Sequence, residues 1–285
     1  MENKDFAVFI LTHERPDNVK TLKALKENGY TGLIYFIVDN EDKTVDKYIK
    51  NFGEERVKIF DKKAIADQVD EGNNFDERRT ITHARNACFK IAEEIGITYF
   101  IQLDDDYSCF IFRINNNKEY PKGKFKIRSK MDNVFDLLLN YYKKIPAKSI
   151  AMSQGGDWIG GGDSHSYIPK RKCMNSFICS VKRPFKFIGA MNEDVNTYTT
   201  LGSRGDLFMT IMFVSLLQAQ TQTQTGGITD MYLRYGTYCK AFTTVMMHPS
   251  GVKVSMMNTT NSRIHHQIKW INTVPVIIDE KYKKL

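Results

Sequence analysis

The stretch TITHARNACFKIAEEIGITYFIQLDDD (80–106) decides the fold of this chain. From Thr80 to Gly96 its small and apolar residues recur at helical spacing, which predicts a long helix with one face formed by Ala84, Ala87, Cys88, Ile91, Ala92 and Ile95. Residues 97–106 read as an apolar strand that ends in three aspartates. A helix that leads directly into a buried strand is typical of α/β proteins with a parallel sheet.

The residues before this stretch repeat the same pattern. FAVFILT (6–12), GLIYFIVD (32–39) and RVKIFD (56–61) are apolar runs of strand length. Short helical patterns separate them, from Val19 to Gly29 and from Thr44 to Phe52. The resulting β-α-β-α-β-α-β order predicts an α/β fold with an open, mostly parallel, Rossmann-like sheet.

Past residue 106 the pattern becomes mixed, which predicts an extension of a different character. We expect strands at 107–114, 149–154, 176–188, 185–191 and around Thr243–Met247, and helices at 131–144 and Leu207–Leu217. No Pro/Ser-rich linker divides the chain. We therefore expect a single domain over residues 1–285, with a first half (1–106) and a second half (107–285).

The composition excludes several classes of protein. With 42% hydrophobic and 12% aromatic residues, the 285-residue chain is neither disordered nor collagen-like. No apolar run approaches the roughly 20 residues of a membrane span, and the N-terminus does not resemble a signal peptide. The five cysteines are scattered, which favours a reduced, cytoplasmic protein, and the lack of a long apolar run predicts no membrane contact.

The net charge of +8 is unevenly distributed. Residues 1–106 carry 16 basic and 22 acidic side chains, a net charge of −6, whereas residues 107–285 carry 25 basic and 11 acidic side chains, a net charge of +14. A basic second half predicts an anionic partner, although a basic surface also serves solubility alone.

Polar residues follow three of the predicted parallel strands. They are Thr12–Arg15, Asp39–Asp42 and Asp104–Asp106. Ligands of open α/β sheets bind at the carboxyl ends of the strands. Adjacent carboxylates repel one another, and Mg²⁺ or Mn²⁺ relieves this repulsion while it also binds phosphate oxygens. The pattern predicts a site for a metal and a diphosphate, and its alternative is a solvated acidic turn.

The order of LTHERP, IVDNED, HARNACFKIAEEIG and YFIQLDDD resembles the nucleotide-sugar half of GT-A fold glycosyltransferases over residues 6–106. The resemblance implies a nucleoside diphosphate sugar, a UDP-sugar, bound by Thr12, His13, Arg15, Asp39, Asn40, Arg85, Asp104 and Asp105. It also implies Mn²⁺ or Mg²⁺ held by Asp104 and Asp106. Two alternatives remain, because Arg85 could pair with Glu94 or Asp76 and Thr12 could cap a helix.

Segments of the second half resemble the TET/JBP-associated glycosyltransferases. They are NEDVNTY (192–198), LLQAQTQTQTGGITDMYLRYGTY (216–238), VMMHPSGVKV (245–254) and NSRIHHQIKW (261–270). That family occurs in phages and eukaryotes and is linked to the modification of hydroxymethylated pyrimidines in DNA. The resemblance implies transfer of a sugar to a 5-hydroxymethylpyrimidine in DNA, with residues 1–106 as the donor half and 107–285 as the acceptor half.

Transfer to a hydroxyl needs a base, and Asn192-Glu193-Asp194 supplies candidates. By the resemblance to inverting GT-A enzymes, Asp194 is the first choice, Glu193 the second and Asp206 the third. Asp194 could instead cap the following helix, or orient the sugar if the enzyme retains configuration. The resemblance further implies that a late histidine completes the metal site, so that one of His265 and His266 is expected to be a ligand.

Basic and aromatic residues predict the acceptor surface. Lys124, Lys126 and Arg128 lie in a basic loop, and Arg171 and Arg183 belong to a second basic group. Such side chains neutralise DNA phosphates. Trp158, among five glycines, could stack on a base or a sugar, or could be a buried anchor.

Three other functions fit the same residues. One is a glycosyltransferase that acts on a protein, a polysaccharide or a lipid-linked glycan. Another is a nucleic-acid-binding module without activity, although such a module has no need of clustered carboxylates. A nucleotidyltransferase needs the same metal–diphosphate geometry.

Overall fold

The computed structural model of the chain describes residues 4–72, 78–113, 125–127, 130–158, 170–218, 236, 238–257 and 263–275. The strands of the first half are β1 (Phe6–Leu11), β2 (Leu33–Asp39), β3 (Val57–Phe60) and β4 (Tyr99–Asp104). Its helices are α1 (Lys20–Glu27), α2 (Val45–Phe52), α3 (Lys62–Ala66) and α4 (Thr82–Glu94). The predicted alternation of strands and helices is present, and α3 adds to it.

The second half contains more strands than helices. Its strands are β5 (Tyr107–Phe112), β6 (Phe125–Lys126), β7 (Ala147–Ser153), β8 (Phe177–Ser180), β9 (Leu207–Gln218), β10 (Val252–Met257) and β11 (Arg263–Ile268). Its helices are α5 (Met131–Lys144), α6 (Glu193–Ser203) and α7 (Tyr238–Met247). None of the helices in the described ranges is both long and apolar enough to cross a lipid bilayer.

One sheet of nine strands joins the two halves in the order β3-β2-β1-β4-β8-β7-β9-β5-β6. Strands β3, β2, β1 and β4 are parallel, and β8 and β5 run against the direction of the others. The predicted α/β class and the open, mostly parallel sheet are confirmed. Strands β10 and β11 form a separate antiparallel pair, which packs against α7.

The sheet is covered on both faces, as the continuous apolar runs of its strands predict. Strand β1 is completely buried, with Phe6, Val8 and Ile10 in one hydrophobic cluster and Ala7, Phe9 and Leu11 in the other. Helix α5 contributes to the first cluster and α4 to the second. Residues at the carboxyl end of β1 are thereby held from both sides.

Four predicted elements differ from the structure. Residues 207–217, expected as a buried helix, form β9, because an apolar run that is buried on both faces has no periodicity to separate strand from helix. The Thr243–Met247 strand is the end of α7, where packing on β10 and β11 overrides β-propensity. Of the predicted strand 176–188 only β8 is a strand, and the predicted strand 185–191 is absent: residues 181–191 have no regular structure, and Gly189 there has a φ of +84°.

Candidate active site

The carboxyl ends of β1, β2 and β4 open into one cavity of about 690 Å³. Ten of the residues predicted from the sequence as binding, catalytic or metal-ligating line this cavity. They are Thr12, His13, Arg15, Asp39, Arg85, Asp104, Asp105, Asp106, Glu193 and Asp194. The structure therefore brings the two acidic clusters, 88 residues apart in sequence from Asp106 to Asp194, to one place.

The three aspartates lie in the tight turn between β4 and β5, and Thr21 of α1 holds this turn. Its hydroxyl donates to the carbonyl oxygen of Asp104 at 2.5 Å and accepts the backbone N–H of Tyr107 at 3.0 Å. Its own backbone N–H donates to the carbonyl oxygen of Asp105 at 3.1 Å. These bonds hold the backbone of the turn from which the three carboxylates extend.

The three carboxylates have different partners. Asp104 Oδ1 accepts a hydrogen bond from Arg85 at 3.0 Å. Asp105 accepts from the Thr12 hydroxyl at 2.8 Å and from Arg15 at 3.2 Å. Asp106 Oδ1 is buried and has no hydrogen-bond partner. Asp106 is thus the carboxylate with an oxygen left over for a ligand.

Burial and mutual repulsion make this cluster electrostatically costly. Burial raises the pKa of Asp104 to about 7, against the lowering effect of Arg85. Burial also raises the pKa of Asp105 and of Asp106, and for Asp106 the charge of Asp105 adds to the effect. A bound cation would relieve this cost, because it favours the ionised form of each carboxyl group.

Arg85 of α4 connects the two acidic clusters. Its side chain is 1% exposed, and it donates from Nη2 to Asp104 and from Nε to Glu193, each at 3.0 Å. The guanidinium also lies 4.8 Å from the ring centroid of Phe177. Burial lowers the pKa of Arg85, but the two carboxylates raise it by more, so the group stays charged. Its acidic partners are Asp104 and Glu193, not the Glu94 that the sequence also allowed.

The second acidic cluster begins at Asn192, which precedes α6 with a left-handed φ of 55°. The Asn192 amide donates to the carbonyl oxygen of Lys240 at 2.8 Å and to the Thr244 hydroxyl at 2.9 Å. Asp194 accepts from the backbone N–H of Val195 at 2.7 Å. Burial, and then the charge of Glu193, raise the pKa of Asp194. A carboxyl group with a raised pKa at a cavity wall is suited to accept a proton.

The histidine pair lies on β11, and neither ring lines the cavity. His266 Nδ1 is 3.4 Å from the Asn192 amide nitrogen. Burial lowers the pKa of His265, and it lowers that of His266 to about 3. In the described part of the chain no three His, Cys, Asp or Glu residues form a metal-ligand group. The cavity wall that faces Asp194 carries Lys240 instead.

A group of polar residues occupies the other end of the cavity, at β2 and β3. His13 Nδ1 lies 2.7 Å from Asp39 Oδ2, and Lys62 Nζ lies 3.3 Å from Asp39 Oδ1. Burial raises the pKa of Asp39, but the hydrogen bond and charge of His13, together with Lys62, lower it by more. Asn40 lies outside the cavity: it is exposed, and its side-chain oxygen accepts the backbone N–H of Lys62 at the start of α3.

Asp206, Arg171 and Arg183 lie away from the cavity. Asp206 precedes β9 at the opposite edge of the sheet, 3.9 Å from Lys148, so it is not placed to act as the base. Arg183 donates to the carbonyl oxygens of Tyr142, Ile145 and Ala147 at and after the end of α5. Arg171 is exposed and donates to the carbonyl oxygen of Pro275.

The remaining acceptor predictions are not described by the structure. Lys124 and Arg128 lie outside the described residues. Lys126 and Trp158 are described in their backbones alone. Their proposed contacts with an acceptor therefore stay predictions.

The sequence analysis missed several residues that line the cavity: Lys43, Lys62, Arg79, Asn175, Gln218 and Lys240. Lys62 follows β3, so the strand-end rule could have found it. Gln218 ends β9, but the sequence analysis expected a helix over 207–217, so it did not place Gln218 at the end of a strand. Its side chain hydrogen-bonds to Asp106 and accepts from Asn175, whose backbone has a left-handed φ of 60°. No sequence pattern marks Asn175.

Comparison with known protein families gives a match over most of the chain. The profile of the family described as TET-Associated Glycosyltransferase matches residues 6–227, more than three quarters of the chain. No curated protein sequence matches the chain.

The similar solved structures are distant. Glucosyl-3-phosphoglycerate synthase from Mycobacterium tuberculosis, in complex with Mg²⁺ and UDP, is 10% identical, with 92% of this chain and 87% of that chain covered and a TM-score of 0.45. S. aureus TarS 1-349 in complex with UDP-GlcNAc is 10% identical, with 85% and 66% covered and a TM-score of 0.42. Similarity this low does not carry either protein's substrates over to this chain.

Proposed function

The chain belongs to the TET-associated glycosyltransferase family, and on that premise we propose that it moves a sugar from a UDP-sugar to a 5-hydroxymethylpyrimidine in DNA. The transfer would need Mn²⁺ or Mg²⁺. We propose further that residues 1–285 act as one GT-A domain with a donor half and an acceptor half. The observation that carries this proposal is the cavity that holds the two acidic clusters, the first of which includes the buried oxygen of Asp106 that has no hydrogen-bond partner.

The donor fits the size and the polarity of the cavity. A volume of about 690 Å³ lies in the range of small-molecule sites. Arg15, Arg79 and Lys240 provide positive charge on the walls for a diphosphate. The polar group at β2 and β3 lies on the far side of β1 from Asp104, which separates a place for the base from a place for the phosphates.

The residues at the carboxylate turn fit a divalent metal ion. Asp106 offers a buried oxygen without a partner, and Asp104 lies beside it in a cluster whose pKa values are raised. Mg²⁺ takes one or two carboxylates, and phosphate oxygens and water complete its shell. A bound Mn²⁺ or Mg²⁺ would stabilise the charge that develops on the departing diphosphate. The histidine pair lies off the cavity and is not included in this set.

Asp194 is our proposed base, with Glu193 held back from that role by Arg85. Glu193 accepts from Arg85 Nε at 3.0 Å, whereas the partner of Asp194 is a single backbone N–H. Asp194 would accept the proton of the acceptor hydroxyl as that oxygen bonds to the sugar. If the enzyme retains configuration, the same carboxylate would orient the donor sugar.

The DNA acceptor is supported by the family and by charge. The second half carries a net charge of +14, which suits a polyanionic partner.

The five cysteines are free, which suits a reducing compartment such as the cytoplasm.

The test is incubation of hydroxymethylated DNA with Mn²⁺ and a panel of nucleoside diphosphate sugars, followed by mass spectrometry of the digested nucleosides. We expect a hexose or pentose increment on hydroxymethylcytosine or hydroxymethyluracil. Asp194→Asn is the matched control and should remove the increment. Donor hydrolysis without any increment on DNA, together with transfer to a glycan or protein acceptor, would refute the DNA acceptor and keep the glycosyltransferase.

A further inference from the structure

The part of the cavity at the ends of β2 and β3, which we name the slot, has both apolar and polar side chains in its wall, and its apolar side chains belong to one cluster with Leu11 and Ile37 near the ends of β1 and β2. Apolar side chains of Phe60, Ile81 and Ala84 line it beside the polar side chains of His13 and Lys62. We propose that His13 reads the Watson–Crick edge of the donor nucleobase, and that its protonation state selects uracil or cytosine. This inference rests on the proposed nucleotide-sugar donor.

The slot lies at the right distance from the carboxylates for a base. Neighbouring strands are about 4.8 Å apart, so the ends of β2 and β3 lie about 10 and 14 Å from the end of β4 across the sheet. A nucleoside diphosphate that places its phosphates near Asp104 and Asp106 can reach this slot with its base.

Asp39 is occupied by protein groups, and His13 is the accessible member of the pair. Asp39 accepts from His13 Nδ1 at 2.7 Å and from the backbone N–H of Glu41 at 3.2 Å, and Lys62 lies 3.3 Å away. The Asp39 side chain is 6% exposed, whereas that of His13 is 42% exposed. A base that enters the slot therefore meets the imidazole rather than the carboxylate.

The bond to Asp39 determines what His13 offers to a base. With Nδ1–H directed at a carboxylate, a neutral imidazole presents Nε2 as an acceptor, and a charged one presents Nε2–H as a donor. Uracil has a donor at N3, and cytosine has an acceptor there. Neutral His13 therefore matches uracil, and charged His13 matches cytosine. The Lys62 ammonium suits the O2 carbonyl that both pyrimidines share.

The charged groups around His13 act on its pKa in opposite directions. They are Asp39 at the end of β2, Asp42 in the loop after β2, and Lys62 of α3; Asp42 Oδ2 lies 3.8 Å from His13 Nδ1. The hydrogen bond to Asp39 raises the pKa of His13 above its ordinary value, against burial and the charge of Lys62, which lower it.

The experiment compares UDP with CDP by titration calorimetry in the presence of Mn²⁺ between pH 5.5 and 8.5. UDP binding should weaken as the pH falls, because His13 must lose a proton, and CDP binding should weaken as the pH rises. The two nucleotides carry the same diphosphate, so its titration cancels in the ratio of their Kd values. By linkage this ratio, Kd(UDP) over Kd(CDP), should fall about tenfold for each pH unit gained.

His13→Gln is the decisive variant, because an amide can still bond to Asp39 but has no proton to lose in this range. The ratio should then be independent of pH, whereas Lys63→Gln, on the exposed side of α3, should behave like the wild type. A ratio that is constant with pH in the wild type, or a pH dependence that survives His13→Gln, would overturn the inference and leave the proposed donor intact. If neither nucleotide binds at any pH, the donor proposal itself fails.

Discussion

Replacement of Arg85 by methionine tests the connection between the two acidic clusters. The substitution keeps an apolar stem of similar length and removes the guanidinium. Asp104 and Glu193 would then lose the donor that each holds at 3.0 Å. Two buried carboxylates would then keep their negative charges without the positive charge of Arg85 beside them.

The expected cost is large, because removal of one partner from a buried charge pair destabilises a protein by about 3–5 kcal/mol. Arg85 is 1% exposed and its guanidinium lies 4.8 Å from the ring centroid of Phe177, so solvent cannot replace the lost bonds. Arg85→Lys keeps the charge but has one nitrogen in place of three, so we expect an intermediate loss of stability.

Urea denaturation of the wild type and the variants measures these losses. Arg183→Met is the matched control, because it also removes an arginine that donates hydrogen bonds within the protein, here three bonds to carbonyl oxygens at and after the end of α5. We expect Arg183→Met to lose about 2 kcal/mol of unfolding free energy and to keep Mn²⁺-dependent UDP binding, which Arg85→Met should lose. An Arg85→Met variant that loses less than about 1 kcal/mol and still binds UDP and Mn²⁺ would refute the bridging role.

Three further outcomes are expected. Asp106→Asn should abolish Mn²⁺-dependent donor hydrolysis, and Gln218→Met, which removes the amide partner of Asp106, should raise the Mn²⁺ concentration that gives half the maximal rate. Hydrolysis kinetics over a range of Mn²⁺ concentrations measure both effects. An unchanged Mn²⁺ requirement in these variants would contradict the metal role of Asp106. Asp194→Asn should lower kcat for transfer by a factor of about 10²–10⁴, with little change in the Kd for UDP. In the wild type, kcat should rise with pH as Asp194 ionises, which a pH–rate profile measures. A kcat that is independent of pH would count against Asp194 as the base. Asp206→Asn should leave kcat unchanged in the same transfer assay, and a large loss would restore it as a candidate.

The first half of the fold could be predicted from its sequence because each strand there is a short apolar run bounded by polar residues. The same strand-end rule brought Thr12, Asp39 and Asp104 to one cavity. The rule does not say which way a side chain at a strand end points or which residue it contacts, so it could not show that Arg85 joins Asp104 to Glu193. That connection depends on the packing of α4 against the sheet.

The second half was harder to predict for physical reasons. An eleven-residue apolar run, 207–217, has no polar face, and its length suits a helix as well as a strand. Its assignment as β9 is made by pairing with β5 and β7, which are distant in sequence. The sequence likewise could not show that the histidine pair is absent from the cavity lining, because the position of β11 depends on its contacts with α7.

Thr21 has a consequence for anyone who would transplant or redesign the acidic turn. Its hydroxyl gives one hydrogen bond and takes another across the β4–β5 turn, from a helix 83 residues earlier in the chain. Serine is the natural substitute, because it carries the same donor and acceptor on the same carbon atom. A loop graft that copies the aspartates without the hydroxyl would keep the carboxylates but lose two hydrogen bonds that hold the backbone of their turn. The smallest portable unit is thus a turn together with one residue of α1.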